Sequence, residues 1–153
     1  MNRSQGRFGR RFGRRHWLLL FAASLLAIPV RAAEPQPRLL LAGFSEERPW
    51  PEAARRGRYD QTALTLTSPG LAFFADVGSL QEGDHLVLRL KSPDGGIMAA
   101  RDIPFSRPTD RFFAFAGATH PQRGWQSGPY IGRIQVIRGD QILIEETRQI
   151  ALP

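Results

Sequence analysis

Apolar and polar positions in this chain alternate at a spacing of two, and past Asp60 they never settle into a long helical period. The clearest case is His85 to Lys91. Leu86, Leu88 and Leu90 share one parity there, and His85, Val87, Arg89 and Lys91 share the other. Successive side chains of a strand face opposite ways, so this predicts a strand with one covered and one solvated face. Leu71 to Val77 is apolar on both parities, which predicts a strand covered on both sides. Arg38 to Phe44 predicts a first strand, and Leu64 and Leu66, alternating with Thr65 and Thr67, predict further strand before Ser68-Pro69-Gly70. Ile97 to Ile103, ended by Pro104, is another. Arg111 to Ala116 comes next, with Phe113 and Phe115 opposite in parity to Phe112. Pro129 to Ile137 and Gln141 to Thr147, the latter running on toward Leu152, flank Gly139-Asp140. Glycine first in a two-residue loop predicts a type II′ hairpin.

The punctuation agrees with the pattern. Ser92-Pro93-Asp94-Gly95-Gly96 is a turn in which proline presets φ, aspartate bonds locally and glycine accepts a left-handed backbone. About seven strands joined this way, without a long amphipathic helix, predict an all-β fold: an antiparallel β-sandwich or barrel. Ser45 to Asp60 departs from the rule, with Glu46, Glu47, Glu52, Arg55, Arg56, Arg58 and a Trp50 flanked by Pro49 and Pro51. Pro51 to Gly57 fits one or two helical turns, proline first and glycine last, and fits a solvated loop equally.

The N-terminus has its own logic. Met1 to His16 is basic, Trp17 to Val30 is apolar and ended by Pro29, and Val30 and Ala32 supply a small-residue pair. The apolar run has the length of a signal h-region, roughly 7–15 residues, and falls short of the ~20 of a membrane-spanning helix. Residues 1–32 are therefore expected to be a signal peptide, 33–37 a linker and 38–153 the domain. The product is expected in the periplasm or secreted, with an uncleaved, membrane-anchored form as the alternative. Arg14-Arg15-His16-Trp17-Leu18 resembles the twin-arginine export motif, though Gly13 stands where that motif has Ser or Thr. The general secretory route is preferred and both stay open.

Charge looks informative until it is located. The net charge of +7 suggests a nucleic-acid binder, yet residues 1–33 hold seven arginines and no acid. The rest of the chain carries fourteen basic against fourteen acidic residues. A counterion-releasing surface needs clustered cations, and only Arg55, Arg56 and Arg58 qualify, so no nucleic-acid partner is expected. The chain has no cysteine, which excludes disulfides, thiolate metal sites and a lipid-anchored N-terminus.

Candidate chemistry is thin. His85 begins a strand on its solvated parity without a partner at metal-ligand spacing. The Gly124-Trp125-Gln126-Ser127-Gly128 string lacks the spacing of a serine nucleophile elbow. Glu46/Glu47 and Glu145/Glu146 are sequence neighbours, which a strand turns to opposite faces. Arg138-Gly139-Asp140 matches a cell-adhesion tripeptide, and a hairpin turn accounts for the same residues. No catalytic residue, metal or cofactor is expected, and the protein is read as non-enzymatic. The residues best suited to binding are Trp50, His120, Arg123 and Trp125, two loop aromatics with a cation and an imidazole beside them.

Gly124-Trp125-Gln126-Ser127-Gly128-Pro129-Tyr130, leading into a hairpin, resembles the entry to the penultimate strand of bacterial immunoglobulin-like modules. Glu82-Gly83-Asp84 with Leu86 to Leu90 and Pro93-Asp94-Gly95 is similar to their middle strands, so the resemblance covers about residues 80 to 152. It implies an immunoglobulin-like sandwich without the two cysteines of antibody domains, with Tyr130 packing inside and tying down a loop by its hydroxyl. Such modules serve as scaffolds for many tasks. The expectation is an exported binding or scaffold module that contacts an envelope protein, with a carbohydrate- or peptidoglycan-binding module as the alternative. No membrane contact is expected after signal cleavage.

Overall fold

The computed structural model describes residues 33–153. The expected signal peptide, residues 1–32, lies outside the described residues. Seven strands and one short helix follow in order: β1 (Arg38–Ser45), α1 (Pro51–Arg55), β2 (Gly70–Leu80), β3 (Asp84–Lys91), β4 (Ile97–Pro104), β5 (Thr109–Thr119), β6 (Gly128–Arg138) and β7 (Gln141–Leu152). They form two antiparallel sheets, β1-β2-β5 and β4-β3-β6-β7. The protein is an immunoglobulin-like β-sandwich, three strands against four.

The alternating pattern sets the inner faces. Phe73, Ala75 and Val77 of β2 meet Leu86, Leu88 and Leu90 of β3 and Ile134 and Val136 of β6, all at 0% exposure. Gly132 of β6 lets the Phe73 ring lie on its backbone, since a Cβ there would stand 2.2 Å from Phe73 Cδ2. The hairpin between β6 and β7 turns at Gly139, φ +57°, while Asp140 keeps a negative φ, as a type II′ turn requires.

β2 is covered on both faces, as its double-parity run implies. The second cover is the segment between β1 and β2. Ala54 of α1 and Tyr59 pack on Phe74, with Leu41, Phe113 and Phe115 around them. This makes sense of the charged stretch Ser45 to Asp60: its few apolar residues close the outer face of the three-stranded sheet. Proline opens α1 and Gly57, φ +76°, lies just past its end. Asp76, also on that outer face, is wholly buried, and Arg55 of α1 and Arg111 of β5 both bond its carboxylate.

Two expectations need correction. Leu64 to Thr67 is not a strand. The Thr65 amide donates to Ser68 Oγ at 2.8 Å and the Ser68 amide to the Thr65 carbonyl at 3.1 Å. Hydroxyl side chains here satisfy the backbone locally and outcompete a ladder. Leu64 drops into the core while Leu66 stays 67% exposed. Val87, on the expected solvated parity of β3, is buried. Its strand is interior to the four-stranded sheet, with β4 and β6 on either side.

Candidate functional site

The expected binding residues fall into two places. His120, Arg123 and Trp125 belong to the loop between β5 and β6. Trp125 is buried, and its indole N–H donates to the Ser68 carbonyl at 2.8 Å. Its ring meets His120 edge-on at 5.6 Å on one side and Tyr130 on the other, also 5.6 Å. His120 Nε2 lies 3.1 Å from the Leu66 carbonyl oxygen. Arg123 is exposed and lines a cleft of about 530 Å³ with Ser92, Met98, Gln122 and Tyr130. Tyr130 packs as the resemblance implies. Its hydroxyl donates to the Gln126 carbonyl at 3.0 Å and accepts from the Gln126 amide at 2.8 Å, closing the loop four residues upstream.

Trp50 stands apart, 61% exposed, immediately before α1. Its amide donates to the Tyr59 hydroxyl at 3.3 Å. The Arg48 guanidinium lies 5.8 Å from the Trp50 ring centre and 5.7 Å from that of Phe115, so it bridges the loop to β5. Such a cation over an aromatic face is mildly attractive. The two tryptophans therefore do not form one stacking platform: one is a core residue with its polar edge satisfied, the other an open surface. Sequence offered no way to separate them, because both sit in proline- and glycine-rich loops with a nearby arginine.

Other groups singled out from sequence are engaged elsewhere. His85 Nδ1 lies 3.2 Å from Asp102 Oδ1 on the exposed face of β3 and β4. Among the described residues no group of three or more His, Cys, Asp or Glu could hold a metal. Arg138 of the adhesion-like tripeptide is turned inward. Its Nε donates to Asp84 Oδ1 at 2.6 Å, and Asp84, fully buried, also accepts from the Gln81 amide at 2.8 Å. The hydrogen bond to Asp84 holds the Arg138 guanidinium above its usual range. An arginine so committed is not free to reach a receptor. Ser127 donates to the terminal Pro153 carbonyl at 3.3 Å.

The residues that sequence reasoning missed lie around Trp50. Arg48, Arg101 and the Phe112–Phe115 stretch line a cleft of about 240 Å³ with Trp50, where the edges of β4 and β5 come together. Arg101 lies on β4 and Phe113 and Phe115 on the outer face of β5. Nothing in the spacing of Arg48, Arg101 and Phe113 announces that they meet, since each belongs to a different segment.

No protein-family model matches this chain, and no curated protein matches it. Among solved structures, a β-glucuronidase from Ruminococcus gnavus aligns at 11% identity and a TM-score of 0.38, over 77% of this chain and 16% of that one. A glycosyl hydrolase family 2 member from Bacteroides cellulosilyticus aligns at 9% identity and 0.38, over 77% of this chain and 14% of that. The cupredoxin domain of amoB from Nitrosocaldus yellowstonii aligns at 12% and 0.35, over 76% and 86% of the two chains. The chain thus spans a small fraction of the two hydrolases. Likenesses this distant stop at the β-sandwich and carry no argument about the task.

Proposed function

We propose that this chain is an exported, non-enzymatic scaffold or binding module that acts by protein–protein contact with another component of the cell envelope. The basic, apolar, small-residue order of residues 1–32 supports export to the periplasm or beyond. The observation that carries the contact reading is the set of sheet edges. Among the described residues, a sandwich of three and four strands leaves β1, β5, β4 and β7 each with one unpaired rail of backbone groups, a ready template for another chain. The commitments of the two described histidines, to Asp102 and to the Leu66 carbonyl, support a non-catalytic reading.

Affinity capture from the envelope fraction tests this, with residues 33–153 as bait. An envelope protein retained in stoichiometric amount is the expected result, with the cellular form beginning at Ala33. Recovery of an intact Met1 form from the cytoplasm refutes the localisation. A carbohydrate- or peptidoglycan-binding module is the second reading, favoured by the exposure of Trp50 beside Arg48. Glycan fragments that shift Trp50 fluorescence, with the shift abolished in Trp50→Ala, select it over the first.

A further inference from the structure

Three of the four edge strands are broken by a bulge, and one is not. β1 carries an extra residue at Leu40, between the Leu39–Val77 and Leu41–Asp76 pairs. β4 carries one at Met98 and β7 one at Leu143. An extra residue bends the edge and weakens it as a template there, and β7, unbroken from Ile144 to Leu152, carries Glu145, Glu146 and Arg148, charges that blunt an edge. β5 keeps its register with β2 without interruption from Arg111 to Thr119, and has neither proline nor lysine. The 2.8 Å bond from the His120 amide to the Pro69 carbonyl fixes which residues face β2. Antiparallel partners alternate between bonded and unbonded pairs. Phe112, Ala114, Ala116 and Ala118 therefore turn their backbone groups to β2. Phe113, Phe115 and Gly117 turn theirs to the free edge, where no described strand pairs with them.

The ground beside that edge is also unfilled. Ala99, Arg101 and Ile103 of β4 are in register with Leu90, Leu88 and Leu86, so all six share the inner face of the four-stranded sheet. The leucines are fully buried, whereas Ala99 and Ile103 are half-buried and Arg101 is exposed. Arg101 and Arg48 both line the cleft under Trp50, and no carboxylate lines it. Neither arginine has an ion-pair partner among the described residues.

We infer that the free edge of β5 is a strand-addition site for an extended, acidic segment of a partner protein. This deepens the scaffold reading and rests on it. The added strand completes the three-stranded sheet to four. Its main chain pairs with Phe113, Phe115 and Gly117, and its side chains alternate. One set lies outward beside Arg48 and Trp50, and the other points inward to Arg101. The inward cation supplies selectivity. A wholly apolar strand would cover Arg101 without a partner, whereas a carboxylate at that place pairs it.

The test uses residues 33–153, whose core closes within that unit. The probe is a fluorescent peptide alternating glutamate with valine, and the control replaces glutamate by lysine. Anisotropy should rise with the glutamate peptide only. Arg101→Glu, at an exposed and unpaired position, should weaken it by on the order of tenfold or more and admit the lysine peptide instead. Its urea midpoint should be unchanged, which separates lost binding from lost fold. Hydrogen exchange at Phe113, Phe115 and Gly117 should slow when the glutamate peptide is added. Failure of the glutamate peptide to bind, equal binding of the lysine peptide, or binding without protection of those three amides overturns the inference. Protection of the same amides in a peptide-free dimer also overturns it, placing a second copy on the edge. A captured envelope partner that tolerates Arg101→Glu sinks the β5 site alone, while capture of no partner sinks the scaffold reading.

Discussion

Asp76 fastens the cover segment to the sandwich, and removing its charge should show how much that fastening contributes. The carboxylate is 0% exposed on β2, 2.8 Å from Arg55 Nε of α1 and 2.9 Å from Arg111 Nε of β5. Burial by itself pushes this carboxyl upward. The hydrogen bonds from Arg111 and then Arg55 outweigh it and hold the group below its usual range. Asp76→Asn keeps the shape and one acceptor but leaves two guanidinium groups facing a neutral amide. Stranding a fully buried partner costs about 3–5 kcal/mol. The arginine side chains here are 34% and 44% exposed and can turn back to water, so the expected loss is smaller, about 2 kcal/mol. That is a large share of a stability of roughly 5–15 kcal/mol. Urea unfolding followed by Trp125 fluorescence measures it, because that indole leaves the core on unfolding while Trp50 is already exposed. Arg55→Ala and Arg111→Ala should each cost about 1 kcal/mol in the parent and much less in the Asp76→Asn background. Additive losses, or an Asp76→Asn cost below about 0.5 kcal/mol, would refute the account of this cluster as a coupled fastening.

Acid should act on the same group. Because the folded pKa of Asp76 is lowered, its contribution is fully present above the unfolded value of about 3.9 and lost as pH falls from there through the folded value. Urea midpoints should therefore drop steeply below about pH 4, and Asp76→Asn should flatten that limb. Tyr130→Phe removes the two bonds to Gln126 and should cost about 1–2 kcal/mol in the same assay while leaving the fold intact by circular dichroism. Gly132→Ala forces a methyl against the Phe73 ring and should cost about 1–3 kcal/mol or more, partly recovered by Phe73→Leu. Ser79, at φ 61°, holds a left-handed backbone without being glycine, so Ser79→Gly should stabilise by up to about 1 kcal/mol in thermal melts.

Much of the architecture was legible along the chain. The Leu86, Leu88, Leu90 alternation gave the inner face of β3, and the double parity of Leu71 to Val77 announced a strand with two covers. The loop-fastening role of Tyr130 was implied by the resemblance of its stretch to immunoglobulin-like modules, and its hydroxyl does bond the Gln126 carbonyl. The Leu64–Thr67 segment misled because a threonine-leucine alternation is also what a hydroxyl-bonded loop can display. The candidate site was the least legible part. Trp50 and Trp125 look alike in sequence, and only the packing of residues far along the chain makes one a surface and the other a core residue.

What the sequence determined by itself is the period of the strands, the places of the turns and the neutrality of the chain beyond residue 33, because these depend on near neighbours and on simple composition. Which strands end up as edges is a different kind of fact. β5 has an unpaired rail because the chain crosses from β4 into the other sheet and no fourth strand joins it there among the described residues. That places Arg101 next to Phe113, and Arg48 above Phe115, from segments separated by long stretches of chain. Sheet order is settled by long-range burial, and only tertiary structure could therefore decide where this protein leaves room for another.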